Sequence, residues 1–411
     1  MKLFSNIGAL CGVRLDNKLR LQGREMSEYT IIPDAWLAVD GDKIHSFGSM
    51  SDSLPRVKEV IDMDGGWVFP SFCDSHTHIV YAGNRAGEFL DKINGLSYEE
   101  IGRRGGGILN SADLLNATSE DELYRQAMER VDEMIAKGTG AIEIKSGYGL
   151  TTDSEVKMLR VIRRIKENTP AEVRSTFLGA HAVGRAYAGR QADYVDLVCN
   201  EMIPRVGRLG LADYVDVFCD DGYFTPDETS RILEAGYKYG LKPKIHANEL
   251  GVSGGVQVGV KHRALSVDHL ERAGKAEIEA LKGSCTMPTA LPGASFFSNL
   301  PFADARGMIE SGLGVALASD YNPGSSPSGD MRFVCSLGSI RMRLTPEQSL
   351  NAATVNGAYA MGLSEKVGSI TPGKIANFFT TAPLPSLPFF LYAYTTPLIR
   401  NVYLRGCRIS Q

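Results

Sequence analysis

His76 and His78 stand one residue apart on an extended run, where period-2 geometry turns both imidazoles to one face. Two ligands of a single ion need that arrangement. H-x-H alone is a weak signal, since surface strands show it by chance. Here it coincides with His246 after Pro243–Ile245, His269 after Ala264–Val267 and Asp320 after Val315–Ala318, each closing a short apolar run. The chain has only seven histidines, so such a concentration favours ligands over ordinary core histidines. Imidazole with carboxylate suits zinc, iron or manganese. With one open position, such an ion lowers the pKa of bound water from ~15.7 to about 7. The chemistry these residues point to is metal-assisted hydrolysis.

Other residues fit around that centre. Asp320 can be a turn residue before Asn322-Pro323-Gly324, or a ligand that also takes a proton from water. Glu249, three residues after His246, can stabilise a helix N-terminus or act as an acid–base group facing the same cavity. His181, in Gly179-Ala180-His181-Ala182, can polarise a substrate carbonyl. His45 and His262 carry no such context. Gly251-Val252-Ser253-Gly254-Gly255 matches a serine-hydrolase elbow, but that mechanism needs an acid and then a well-separated histidine further along the chain. Only His262 and His269 follow, too close in sequence, so the match is accidental. Arg104-Gly105-Gly106-Gly107 lacks the Lys-Ser/Thr ending of a phosphate loop and reads as a flexible segment near the site.

Eight apolar runs that could position these groups lie between residues 63 and 330, centred on Trp67–Phe72, Ala141–Ile144, Val173–Leu178, Tyr214–Cys219, Pro243–Ile245, Ala264–Val267, Ser284–Met287 and Val315–Ala318. Helical segments separate most of them. The clearest follows Ser119, an N-cap with Glu122 at capping-box spacing, and presents Leu123, Ala127, Val131, Met134 and Ile135 on one face before Gly138. Eightfold strand–helix alternation predicts an α/β fold, a (β/α)₈ TIM-type barrel, whose chemistry sits at the C-terminal strand ends. Residues 31–62 carry strands and an Asp40-Gly41 hairpin signal, and the last forty or so residues are again β-like. Neither end closes alone. The expectation is therefore a small composite β domain from residues 1–62 and 363–411 beside a barrel over 63–362. Ala382–Pro388 reads as a stiff loop.

Bulk composition excludes several classes. The 411 residues are 43% hydrophobic and 22% charged, as in an ordinary globular enzyme. With 44 Lys plus Arg against 48 Asp plus Glu, the net charge of −4 offers no basic stripe for nucleic acid. No run reaches membrane-spanning length, and the N-terminus lacks a sustained apolar stretch, so no membrane partner is expected and a cytoplasmic location is. Seven scattered cysteines without C-x-x-C read as reduced thiols.

Taken together, Asp74-x-His76-x-His78, His246, His269 and Asp320 resemble the metal-dependent amidohydrolases. More narrowly, Gly105–Leu109, Glu143-Ile-Lys-Ser-Gly-Tyr-Gly-Leu150, Thr176–His181, His246–Glu249, Val267–Leu270 and Ser319–Ser326 are similar to the imidazolonepropionase family of histidine degradation. The resemblance spans essentially the whole chain. It implies hydrolysis of the ring amide of a small-molecule substrate, 4-imidazolone-5-propanoate, to N-formimidoyl-L-glutamate. It implies one zinc or iron ion per chain, divalent or trivalent, held by His76, His78, His246 and Asp320. His269, Glu249, His181 and Asp320 would be catalytic. Arg85, Tyr148, His181, Asn322, Gly324 and Ser325 would bind substrate, Arg85 meeting the propanoate. A homodimer is expected. Asn248 and Asn377 depart from the pattern, each standing where the family has Asp, but neither is a proposed ligand. Phe218–Gly222 lacks a lysine that could bridge two ions, which implies a mononuclear site. The rival readings are an aminohydrolase acting on a nucleobase or related ring, and an inactive barrel serving as a binding scaffold.

Overall fold

The computed structural model describes residues 1–16, 18–96, 100, 104 and 106–410. Gly105 of the glycine run lies outside the described residues. The N-terminus supplies a strand that the apolar pattern did not announce, because Ser5, Asn6, Gly8 and Gly12 interrupt its alternation. Strand β1 (Lys2–Val13) pairs antiparallel with β2 (Thr30–Asp40), which turns through Gly41 (φ 60°) into β3 (Lys43–Ser49). On its other side β1 pairs parallel with β4 (Glu59–Asp62) and β5 (Trp67–Pro70). A bulge between Phe4 and Ile7, with Asn6 at φ 53°, lets one strand serve all of these partners.

The eightfold alternation is borne out. β6 (Phe72–Thr77), β7 (Thr139–Lys145), β8 (Glu172–Ala180) and β9 (Tyr214–Cys219) pair in parallel sequence. After the two-residue β10 (Lys242–Pro243), they continue as β11 (Ile245–Ala247), β12 (Ser266–His269), β13 (Met287–Ala290) and β14 (Ala316–Leu317). The ring closes where Asp320 N donates to His76 O at 3.0 Å and His78 N to Tyr321 O at 2.9 Å. Strand limits differ from the apolar runs. Trp67–Phe72 is split, since Trp67–Pro70 belongs to the terminal sheet and the barrel strand starts at Phe72. Several ladders also reach further toward the C-terminus than apolarity suggests, and β12 ends on His269 itself. The polar residues that hide a strand end from a hydrophobicity reading are those at the site.

The C-terminal residues return to the first sheet. β15 (Phe378–Thr381) pairs antiparallel with β5, followed by β16 (Ile399–Leu404) and β17 (Cys407–Arg408). The order is β17-β16-β15-β5-β1-β2-β3, a sheet made from both chain ends. Only part of Ala382–Pro388 is loop: Leu387 and Pro388 start a helix running to Tyr392, proline being tolerated in a first turn. Phe69, Phe72, Phe379 and Phe390 stack at 4.6–5.8 Å between the terminal sheet and the barrel. The helix Glu120–Ala136 buries the expected face and Ser119 caps it, accepting from Glu122 N. The Glu122 carboxylate turns instead to Arg125 and Gln126, so the reciprocal capping bond is not made. All seven cysteines are free. No helix among the described residues is long and apolar enough to cross a membrane.

Candidate metal centre and active site

The C-terminal ends of β6, β11, β12 and β14 bring the five ligand candidates together, all buried. Two groups lie within mutual reach of one ion: His76, His78 and Asp320, and His76, His246 and His269. His78 Nε2 is 3.2 Å from His76 Nε2 and 3.4 Å from His246 Nε2. Asp320 Oδ1 is 3.6 Å from Nε2 of both His76 and His78. The opposite nitrogens explain the crowding. His76 Nδ1 donates to Asp268 at 2.7 Å, and His246 Nδ1 donates to Asp216 at 3.0 Å. Burial holds His76, His78 and His246 below the usual imidazole range, so they are neutral. Neutral rings that donate from Nδ1 present bare lone pairs from Nε2. The lone pairs of His76 and His246 converge with His78, whose Nδ1 makes no hydrogen bond, and with a carboxylate, as ligands around a cation do. The donor set fits a metal ion.

Beneath these ligands lies a charge network that the sequence reading did not single out. Lys145, fully buried, reaches Glu143 at 2.6 Å, Asp216 at 2.8 Å and Asp268 at 3.7 Å. Lys244 binds Glu143 and the carbonyls of Ser75 (3.0 Å) and Ala360 (3.3 Å). One ammonium thus touches both carboxylates that orient His76 and His246. The available signal was period 2: Glu143 and Lys145 alternate along an apolar strand, as do Lys244 and His246. A buried strand carries such charges only when they are paired. Asp74 is no part of the ligand cluster. It accepts from Ser319 N at 3.0 Å and Ser319 Oγ at 2.5 Å, tying β6 to the segment before Asp320.

The ligand cluster opens into a cavity of about 440 Å³ whose walls include His181, Glu249, His269, Tyr148 and Arg85. His269 Nδ1 faces two carboxylates, Glu249 at 3.6 Å and Glu271 at 3.5 Å. Burial opposes protonation of His269, but Glu249, Glu271 and Asp320 outweigh it and hold its pKa well above the usual value. Burial pushes Glu249 up to about 8, opposed by His269 and reinforced by Glu271 and Asp320. Burial likewise pushes Asp320 up to about 7. The loop bearing Glu249 is fixed from below, since Asp220 accepts from the amides of Glu249 (2.7 Å), Leu250 (3.0 Å) and Gly251 (3.0 Å). Asp220 is therefore engaged with backbone.

His181 donates from Nδ1 to the Gly147 carbonyl at 3.0 Å, and burial, with His246, pushes its pKa down to about 3. A neutral ring in that tautomer offers the cavity an acceptor at Nε2. Glu155 secures the Gly147 turn by accepting from Gly147, Gly149 and Leu150 N at 2.8–3.2 Å. Arg85 lines the same cavity, its guanidinium paired to Glu88. In the last loop, Gly324 N and Ser325 N both donate to Asn322 Oδ1 at 2.8 Å, while Asn322 Nδ2 donates to Asp320 O and Ser325 Oγ. The loop thereby uses its own amides. His45 and His262 are away from the cluster, and Ser253 Oγ donates to Cys219 O at 2.7 Å, in no catalytic grouping. Backbone strain marks the site: His269 (φ 84°), Asn248 (φ 59°) and Asp320 (φ 53°) are left-handed, at a cost of about 1–3 kcal/mol each for a non-glycine residue.

A parallel eight-stranded barrel with an imidazole–carboxylate cluster at its strand ends defines a metal-dependent hydrolase of the amidohydrolase class. The sequence model described as the amidohydrolase family matches residues 67–404. The imidazolonepropionase of Christiangramia forsetii is 53% identical over 406 residues, covering 98% of each chain. That of Alkaliphilus oremlandii is 39% identical over 406 residues, covering 98% of this chain and 96% of its own. The zinc-bound adenosine deaminase of Xanthomonas campestris shares the fold, with a TM-score of 0.70 at 14% identity over 99% of this chain and 92% of that one. Within the amidohydrolases, this chain belongs to the imidazolonepropionase family.

Proposed function

We propose that this protein hydrolyses the ring amide of 4-imidazolone-5-propanoate to N-formimidoyl-L-glutamate in histidine degradation, using one zinc or iron ion held by His76, His78, His246 and Asp320. The observation that carries this reading is one cavity lined both by the convergent acceptor cluster and by Arg85. When bound, the ion supplies Lewis acidity, which makes water acidic enough to attack near neutral pH. Nδ1 of His269 faces Glu249 and Glu271, which favour its protonated form in the metal-free site; a bound cation beside the ring would oppose that, leaving the other ring nitrogen to take the proton of the attacking water. Glu249, with its raised pKa, can carry a proton to the ring nitrogen as the C–N bond breaks. His181, as an acceptor at Nε2, suits a ring N–H of the substrate better than the developing oxyanion. Arg85 would meet the propanoate, helped by Tyr148 and by the Asn322–Ser325 loop.

A spectrophotometric assay with freshly prepared imidazolone propanoate tests substrate and reaction together. The expected result is loss of the imidazolone chromophore with stoichiometric formation of N-formimidoyl-L-glutamate. No turnover, combined with ammonia release from a nucleobase, would replace this reading with the aminohydrolase one.

A further inference from the structure

The described residues lining the cavity include two basic side chains, Arg85 and Lys92, seven positions apart at the start and end of the helix Ala86–Ile93. That spacing puts both on one helical face. Their charges are not equally available. Arg85 donates from Nε to Glu88 Oε2 at 2.8 Å, and its Nη2 closes a second bond to the same oxygen. Glu88 is buried, and its other oxygen accepts from Gly107 N at 3.1 Å. The Arg85–Glu88 pair is therefore locally neutral. Lys92 gives one proton to the Gly324 carbonyl at 2.8 Å, and its ammonium lies 4.8 Å from the Phe297 ring centroid. Neither neighbour is an anion. The Gly324 and Ser325 amides cannot take over the task, since both already donate to Asn322.

We infer that Lys92 is a specificity-determining residue, supplying the net positive charge that draws a substrate carboxylate to the Arg85 side of the cavity, with Arg85 giving geometry rather than net charge. This deepens the functional reading above and rests on it for the identity of the carboxylate. Burial and the nearby Arg85 charge outweigh the pull of Glu88 and Glu249 and make the Lys92 ammonium costly in the ligand-free protein, and a carboxylate between the two cations relieves that cost. Such an attraction acts in ground and transition states alike and so appears in KM more than in kcat.

The test compares Lys92→Met and Lys92→Arg with the natural protein, using the metal-loaded enzyme. On imidazolone propanoate, Lys92→Met should raise KM about tenfold or more while kcat changes far less, and Lys92→Arg should recover most of the loss. Calorimetry with imidazole propanoate and with 4-ethylimidazole reads the same charge without turnover. Lys92→Met should weaken the carboxylate ligand by about tenfold and the neutral one much less. Equal weakening of both ligands, or unchanged binding of imidazole propanoate, overturns the inference, since Lys92 would then only support the Gly324 loop. If the natural protein binds imidazole propanoate in a Lys92-dependent manner but does not turn over imidazolone propanoate, the functional reading fails and the inference stands.

Discussion

His246 and His269 place their rings 5.3 Å apart, yet their outer nitrogens meet different neighbours. His246 donates to Asp216, which Lys145 holds in place, whereas His269 faces Glu249 and Glu271 on the substrate side. The first arrangement fixes a ligand and the second tunes a base. His246→Ala should therefore lose both the ion and the activity. His269→Ala should keep the ion and lower kcat by roughly 10²–10⁴-fold. Elemental analysis beside kcat checks the division, and loss of the ion from His269→Ala would make His269 a ligand. Asp320 supports a prediction about pH. Burial pushes its carboxyl up to about 7 in the metal-free protein, while it holds the ligand histidines below the usual imidazole range. Below that pH the ion must displace a proton from Asp320, and above it there is none to displace. Affinity should fall by about tenfold per unit as pH drops from about 6.5 to 5.5. A flat profile in competition titrations over that range would remove Asp320 from the ligand set. The positions of these residues at one set of strand ends were legible in sequence, because scarce histidines recur after apolar runs. The tautomer of His181 was not, because Gly147 lies on another strand's loop.

At the level of the elements, strand–helix alternation was readable because buried parallel strands are short apolar runs between amphipathic helices. β1 was unreadable because its pairing with three strands is a tertiary property that its own Gly- and Asn-broken pattern does not encode. The same limit hid the charge network. Period 2 assigns Glu143 and Lys145 to one face of β7, but it cannot show that Asp216 and Asp268 arrive there from two other strands. The consequence is testable through Lys145. Replacing it by Met leaves Lys244 to Glu143 and Asp268 and leaves Asp216 with His246 but no ammonium, and breaking a buried pair in this way costs about 3–5 kcal/mol. It also loosens the carboxylates behind His76 and His246, which should weaken metal affinity by about 10–100-fold. Thermal unfolding and a competition titration measure the two effects. A variant that loses stability but binds the ion with unchanged affinity would show that the network supports the barrel without orienting its ligands. Asn377, an apparent departure in sequence, has a physical reason: its Oδ1 accepts from Arg405 N at 2.8 Å and its Nδ2 donates to the Gly140 carbonyl at 3.3 Å. An ionised Asp could make only the first of these bonds.

For the whole molecule, the joint between the terminal sheet and the barrel is aromatic, whereas the active site is polar and lies at the ends of the barrel strands. Phe379 is fully buried and packs its ring on Phe69 at 5.4 Å, Phe72 at 5.2 Å and Phe390 at 5.8 Å. Its edge also meets Gly138, where an added Cβ would lie 2.8 Å from the ring. Gly138 stands at φ 90°, so both backbone conformation and contact demand glycine. Phe72 opens the barrel strand that carries His76, which makes this joint a route by which the terminal sheet could influence the site. The hydrogen bonds that fix His76 argue against strong coupling, since its orientation comes from Asp268 and its backbone is held by Asp320 N. Phe379→Ala should therefore cost about 3–5 kcal/mol of stability while the folded protein keeps its metal content and kcat. Denaturant unfolding and metal analysis on the same preparation check both halves. A matching loss of metal affinity would mean that packing at the base of β6, as well as the charge network, sets the position of His76.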